Sequence, residues 1–327
     1  QRNPLSIKNK DAYYKIRKIQ KEHKYDIVHV HTPVASFITR LALRNEKNLK
    51  IFYTCHGFHF YKGAPIINWL IFYPLEKIAA RWTDVLININ DEDFEVGSKF
   101  KLRSGGEHEK INGVGIDKDK YYIEDFDKNE YRSKLGYSKD DFIILVIAEL
   151  NKNKNHIQLI QAMDILNKKY SNIKAILAGT GPLEEYIIKE IKKRKLEDKI
   201  KLLGWRNDIK ELINMSDLIG LFSKREGLPK CILEAMVCGK SVVSTNIRGP
   251  RTLIKNNENG FVFNVNDYEN TAKSIELIYN NKDLKAKFET NTKKNVKEYY
   301  LDNVLSELSY IYNNINDDKQ IMVGDIR

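Results

Sequence analysis

With 327 residues, 42% of them hydrophobic and 30% charged, the chain has room for two domains with separate cores and is neither disordered nor fibrous. Its three cysteines, Cys55, Cys231 and Cys238, are too few for a disulfide framework and suit a reduced cytosolic compartment. Of the net charge of +11, residues 1–82 hold +10, from 15 Lys/Arg against 5 Asp/Glu.

Such a field attracts phosphate-rich partners: nucleic acid, an anionic membrane surface or a lipid diphosphate. A plainly solvated lysine surface would carry the same charge. No apolar run reaches the roughly 18–20 residues that a spanning helix needs; the nearest, 66–75, is interrupted by Asn68 and Pro74. Secretory signal features are absent. The chain opens with Gln1 and Arg2, not Met, and reads as a fragment or processed form whose beginning is missing.

Residues 8–24 form a basic helical pattern. Strands are then expected at 26–31, 50–54 and 84–89, with an amphipathic segment at 64–82 between the last two. The pattern lapses over the polar, acidic stretch 113–140, the candidate linker. Strands follow at 142–148, 173–178, 199–203, 217–222 and 241–244, separated by helices at 155–169, 182–194, 207–214 and 229–238. Residues 267–315 read as continuous helix. Strand–helix alternation predicts α/β architecture with parallel sheets covered by helices on both faces. The expected domains are a Rossmann-like half over 1–120, a second over 121–295, and a terminal helix over 296–327 that packs back on the first. With three strands against at least five, the first half is expected to lack its opening strand.

The stretch "SKREGLPKCILEAMVCGKSVVST" (223–245) carries the strongest chemical signal. Pro229 suits a first helical turn and Gly239 the residue past its end. Backbone N–H groups at that start favour an anion, and Gly227 lets it come close. Glu226 precedes the helix and Glu234 lies inside its apolar run, where a carboxylate is costly unless paired. At 1.5 Å per residue the two would stand roughly 8–12 Å apart, the span of a nucleotide-sugar with its diphosphate between them. A helix capped by Glu226, with Glu234 in a core salt bridge, is the structural alternative. In "LAGTGPLEEY" (177–186), Gly179 and Gly181 would admit a ligand to the backbone, although a tight turn explains them equally. His56 ends a strand where loops face a crevice. His29 and His31 share a strand face, but no suitably spaced Cys or Asp completes a metal site.

Glu-x7-Glu followed by "EAMVCGKSVVST" closely resembles the donor-site signature of retaining glycosyltransferases of family 4, which have the GT-B fold: two Rossmann-like domains facing a central cleft. The resemblance implies that Glu234 grips the nucleotide ribose and that Glu226 approaches the transferred sugar, with Gly227, Leu228 and Pro229 beside it. "AELNKNKNHIQLIQA" (148–162) resembles the family's Gly-Arg-Leu-x-x-x-Lys-Gly turn, so Lys154 would neutralise the leaving diphosphate. Here Ala148 and Glu149 stand where Gly and Arg are usual, and Asn155 replaces the second Gly. His56 would lie near the transferred sugar.

"DIVHVHTPVASFITRLALR", "TCHGFHFYKGAP", "YPLEKIAARWTDVLININDED" and "NGVGID" look like the capsular and exopolysaccharide branch of that family. Full members begin several dozen residues earlier, so this chain is expected to be truncated at its N-terminus. The resemblance implies a metal-independent enzyme, with no cofactor besides its co-substrate. It would move a sugar from a nucleotide-sugar, plausibly a UDP-sugar, to a polyprenyl-diphosphate-linked saccharide, with retention of configuration. The expected location is the inner face of the plasma membrane; segment 64–82 would be either an interfacial helix lying on the membrane or an ordinary helix packed on the first sheet. A UDP-N-acetylglucosamine 2-epimerase shares the two-domain plan, and a basic RNA-binding protein shares the charge, but no nucleic-acid module pattern supports a nucleic-acid partner.

Overall fold

Every strand of the computed structural model pairs in parallel with its neighbour, as expected when helices separate successive strands. The structure describes residues 7–121 and 123–314. They fall into two units, Gln1–Val114 with Asp302–Arg327, and Gly115–Leu301.

In the first unit the chain order is α1 (Lys8–His23), β1 (Ile27–Val30), α2 (Pro33–Leu43), β2 (Lys50–Cys55), α3 (Ile66–Ala80), β3 (Val85–Asn88), α4 (Asp91–Gly97) and β4 (Glu107–Lys110). The sheet runs β1-β2-β3-β4. Its fourth strand was not expected. "EHEK" has no apolar alternation because it forms the sheet edge, where charged side chains are tolerated.

The second unit begins inside the stretch expected as a linker. α5 (Lys128–Lys134) forms there because Asp127 caps it, accepting from the N–H groups of Asn129 and Glu130. Buried Arg132 then ties α5 to the domain through Asp217, at 2.6 Å, and the Met215 carbonyl. There follow β5 (Phe142–Ile147), α6 (His156–Leu166), β6 (Ile173–Ala178), α7 (Glu184–Lys193), β7 (Ile200–Gly204), α8 (Ile209–Met215), β8 (Leu218–Leu221) and α9 (Lys230–Val237). Next come β9 (Ser241–Thr245), α10 (Arg248–Leu253), β10 (Gly260–Phe263), α11 (Tyr268–Asn280), α12 (Lys282–Asn295) and α13 (Leu301–Asn314). The sheet order is β10-β9-β8-β5-β6-β7. β10 was missed because four residues after an Asn-rich turn carry little periodicity.

The expected continuous helix at 267–315 is broken twice. Asn281 and Tyr300 adopt extended conformations, and Asn281 caps α12 by accepting from Leu284 N–H. From Asp302 onward α13 belongs to the first unit: Tyr312 stacks on Phe52 at 4.9 Å, and Glu307 accepts from Asn112. The rest of the expected terminal helix, 315–327, lies outside the described residues.

A buried charge fixes α3 in the first unit. Arg40, 1% exposed, donates to Glu76 at 2.7 Å and to Ser36, and lies 4.1 Å over the Tyr53 ring. Removing one partner of such a pair strands the other charge without water. Arg40→Ala should therefore destabilise the first unit by about 3–5 kcal/mol in urea denaturation, and Arg40→Met with Glu76→Leu should recover most of that loss.

Candidate functional site

In the second unit the chain runs outward from β5 through β6 to β7, then returns to lay β8 on the other side of β5. At such a reversal the loops leaving the two central strands diverge and open a crevice at their carboxyl ends. Those loops hold residues 148–155 and 222–229.

The loop after β5 is built by side-chain amides. Asn151 Oδ1 accepts from the N–H groups of Asn153 and Lys154, both at 3.0 Å. Asn155 then turns left-handed, φ +51°, a conformation open to Gly and Asn but costly for most residues. That requirement explains why Asn can replace the usual Gly there. Its amide donates to Gln158 and Asn266 at 3.0 and 3.2 Å. Lys224 N–H donates to the Asn153 carbonyl at 2.7 Å, and Asn153 Nδ2 to the Arg225 carbonyl at 3.0 Å, so the two loops are joined. Across that join Lys154 Nζ meets Glu226 Oε1 at 2.7 Å, with the side chains 22% and 15% exposed. Glu149, which replaces the usual Arg, is exposed.

After β8 the loop enters α9 through Pro229, and no side chain caps the first turn. Glu226 is thus a partner of Lys154 and not a cap. Glu234 is buried, and its Oε1 accepts from the Tyr121 hydroxyl at 2.6 Å while Lys230 Nζ stands at 3.7 Å. Burial, then the bond to Glu234, raises the Tyr121 pKa, so the phenol remains a donor. Sequence reading missed Tyr121 because it lies 113 residues from Glu234 in a stretch taken for linker. It also missed Gly249. A Cβ there would stand 2.4 Å from the Gly227 carbonyl oxygen, so only glycine lets α10 close on the loop of Gly227, Leu228 and Pro229. Arg248 Nε donates to the Glu226 carbonyl at 3.3 Å from the same helix.

Gly179 and Gly181 fit the tight turn that the sequence left open beside a ligand approach. A Cβ on Gly179 would lie 2.1 Å from the Ala148 carbonyl oxygen, and one on Gly181 2.5 Å from that of Leu150. Gly179 N–H already donates to Gly204. These glycines seat the β6–α7 turn against the loop bearing Lys154, so the backbone they admit is the chain's own. Burial pushes the Cys231 and Cys238 thiols up to about 12 and about 11, which keeps them protonated and poor nucleophiles.

In the first unit His31 and His56 follow the parallel strands β1 and β2, which brings His31 Nδ1 and His56 Nε2 to 3.2 Å. His29 Nε2 lies 2.8 Å from Thr54 Oγ1, and its ring is 4.3 Å from that of His31. Burial, helped by the neighbouring imidazoles, lowers His29 to about 4; burial also lowers His31 and His56. All three are neutral at pH 7. Among the described residues no group of three or more His, Cys, Asp or Glu side chains is arranged to hold a metal ion. The loop after His56 is anchored by buried Phe58 and Phe60 and by Glu92, which accepts from Lys62 N–H at 2.7 Å.

Three substitutions test this construction. Lys154→Met and Glu226→Gln should each destabilise the second unit by about 1–3 kcal/mol, and the double variant by clearly less than their sum, in a denaturant double-mutant cycle. Tyr121→Phe removes the donor to a buried carboxylate and should cost about 1–3 kcal/mol in the same measurement.

Comparison with known proteins agrees with this arrangement. Residues 127–295 match the family model described as glycosyl transferases group 1, and residues 2–92 match glycosyltransferase family 4. The chain is 36% identical over 314 residues to a Bacillus subtilis protein bearing the name glycosyltransferase EpsD, covering 95% of this chain and 82% of that one. It is 29% identical over 286 residues to the UDP-Gal:alpha-D-GlcNAc-diphosphoundecaprenol alpha-1,3-galactosyltransferase of Escherichia coli, covering 86% and 73%. The crystal structure of Anabaena HepE in complex with UDP has the same fold, with a TM-score of 0.78 at 22% identity over 93% of this chain and 81% of that one. With two parallel-sheet Rossmann-like units and these matches along both, the chain belongs to the family 4 (group 1) glycosyltransferases of GT-B fold.

Proposed function

We propose that this glycosyltransferase moves a sugar from a UDP-sugar to a polyprenyl-diphosphate-linked saccharide, with retention, during capsular or exopolysaccharide synthesis. The observation that carries the reading is the Lys154–Glu226 pair at the strand-order reversal, with buried Glu234 eight residues further along. The E. coli relative supports the substrate classes, because its name specifies a UDP-sugar donor and a diphosphoundecaprenol acceptor. Contact with an anionic membrane at the cytoplasmic face follows from such an acceptor.

In this reading the diphosphate lies over the uncapped start of α9, beside Gly227, Leu228 and Pro229, and shares the Lys154 ammonium with Glu226. Positive charge fixed before the reaction stabilises the leaving UDP without a metal ion. Glu234 accepts from the ribose hydroxyls; a carboxylate has lone pairs enough to do so while the Tyr121 bond persists. Glu226, held by Lys154, contacts the transferred sugar. His56, neutral because of burial, hydrogen-bonds the sugar or the acceptor hydroxyl, with His31 setting its tautomer. Gly179 and Gly181 act on the donor only through the loop they seat.

Products from a panel of UDP-sugars and a polyprenyl-diphosphate sugar should be followed by mass spectrometry. Glu226→Gln and His56→Ala should each lower turnover by about 100-fold or more while circular dichroism stays native. Unchanged turnover in either variant removes that residue from the site, and product formed without any acceptor rejects the transferase reading.

A further inference from the structure

Helix α3 is amphipathic the wrong way round for a helix of a water-soluble surface. Its inner face is aromatic and charged: Trp69 and Tyr73 pack on Phe60 with ring centroids 5.4 and 5.3 Å apart, and Glu76 is paired to Arg40. Its outer face is aliphatic. Ile66, Ile67, Leu70, Ile71, Leu75 and Ile78 are 73, 53, 66, 46, 38 and 45% exposed. Positions i, i+1, i+4, i+5, i+9 and i+12 make one stripe along a helix, not scattered single residues. A continuous aliphatic stripe of this kind marks an interaction surface.

Charge selects what covers it. Exposed Lys62 precedes the helix, and exposed Lys77 and Arg81 close its far end. The helix has one acid, Glu76, and that side chain is buried against Arg40, so the outer face presents cations and no carboxylate. A second copy docking on the same face would bring its own Lys62, Lys77 and Arg81 against these cations, with no acid from either α3 on that face. An anionic lipid surface offers acyl chains to the isoleucines and phosphates to the cations. At 15 residues, or about 22 Å, α3 is too short to span a bilayer, and no described helix is long and apolar enough to do so.

We propose that the outer face of α3 is a membrane-docking surface, lying in the plane of an anionic bilayer with its isoleucines and leucines in the acyl boundary and Lys62, Lys77 and Arg81 at the headgroups. This assigns a surface to the membrane contact proposed above, and its test needs neither donor nor acceptor, so its failure leaves the transferase reading standing.

The test is flotation of the 327-residue chain with vesicles of mixed phosphatidylglycerol and phosphatidylcholine, and with phosphatidylcholine alone. The chain should float with the anionic vesicles and about tenfold less with the neutral ones. Ile67→Ser/Leu70→Ser/Ile71→Ser and Lys77→Glu/Arg81→Glu should each reduce flotation about tenfold while the melting curve is kept, since these side chains are exposed. Flotation of either variant at the wild-type level overturns the proposal. So does wild-type protein that stays with the solvent; a dimer seen by light scattering, and abolished in the triple variant, would then give the face to a second copy.

Discussion

The arrangement of the two loops at the centre of the second unit depends on one short contact, the ion pair between Lys154 and Glu226. Each residue sits on a loop that leaves one of the two paired strands β5 and β8, whose onward connections diverge at the reversal of strand order. Here the pair is backed by a backbone bond from Lys224 to Asn153 and an amide bond from Asn153 to Arg225, so the loops move as one. The ammonium and the carboxylate are held in place by the fold itself, and in the proposed reaction preorganisation of that kind is what would make fixed charge effective.

Around that pair the sequence departs from its family in ways that the backbone explains. Asn155 stands where Gly is usual because the turn needs a left-handed residue, and Asn is the side chain that meets this need while adding hydrogen bonds of its own. Glu149 stands where Arg is usual, and its exposure lets it remain hydrated. The glycines that sequence reading singled out, Gly179 and Gly181, serve chain-to-chain packing; Gly249, which it passed over, does the same for the Glu226 loop.

The parallel sheets were legible because buried strands such as "FIILVI" are apolar along their length and alternate with amphipathic helices. The strands that escaped, β4 and β10, are short edge strands without periodicity. α5 escaped because its stabilisation comes from a cap at Asp127 and from Arg132 reaching a partner 85 residues away. The same distance problem hid Tyr121: nothing local in "DKYYIED" shows that its hydroxyl ends on Glu234. Glu226 and Glu234 were singled out by their Glu-x7-Glu spacing, and Lys154 and His56 by separate stretches of resemblance. The ion pair between Lys154 and Glu226 and the bond from Tyr121 to Glu234 were not legible, since they join remote segments.

The second unit also enters and leaves at one point. Ile116 N–H donates to the Tyr299 carbonyl, Leu301 N–H donates to that of Ile116, and Leu301 fills the place a Cβ on Gly115 would need. The second unit is therefore an insertion with its ends fastened together, and the first unit recovers its last helix only after the chain has passed through it. Tyr312, the residue that stacks on Phe52 and reaches His29, therefore comes after the whole second unit in the chain. The first unit is thus completed by a helix that follows the whole of the second in the chain.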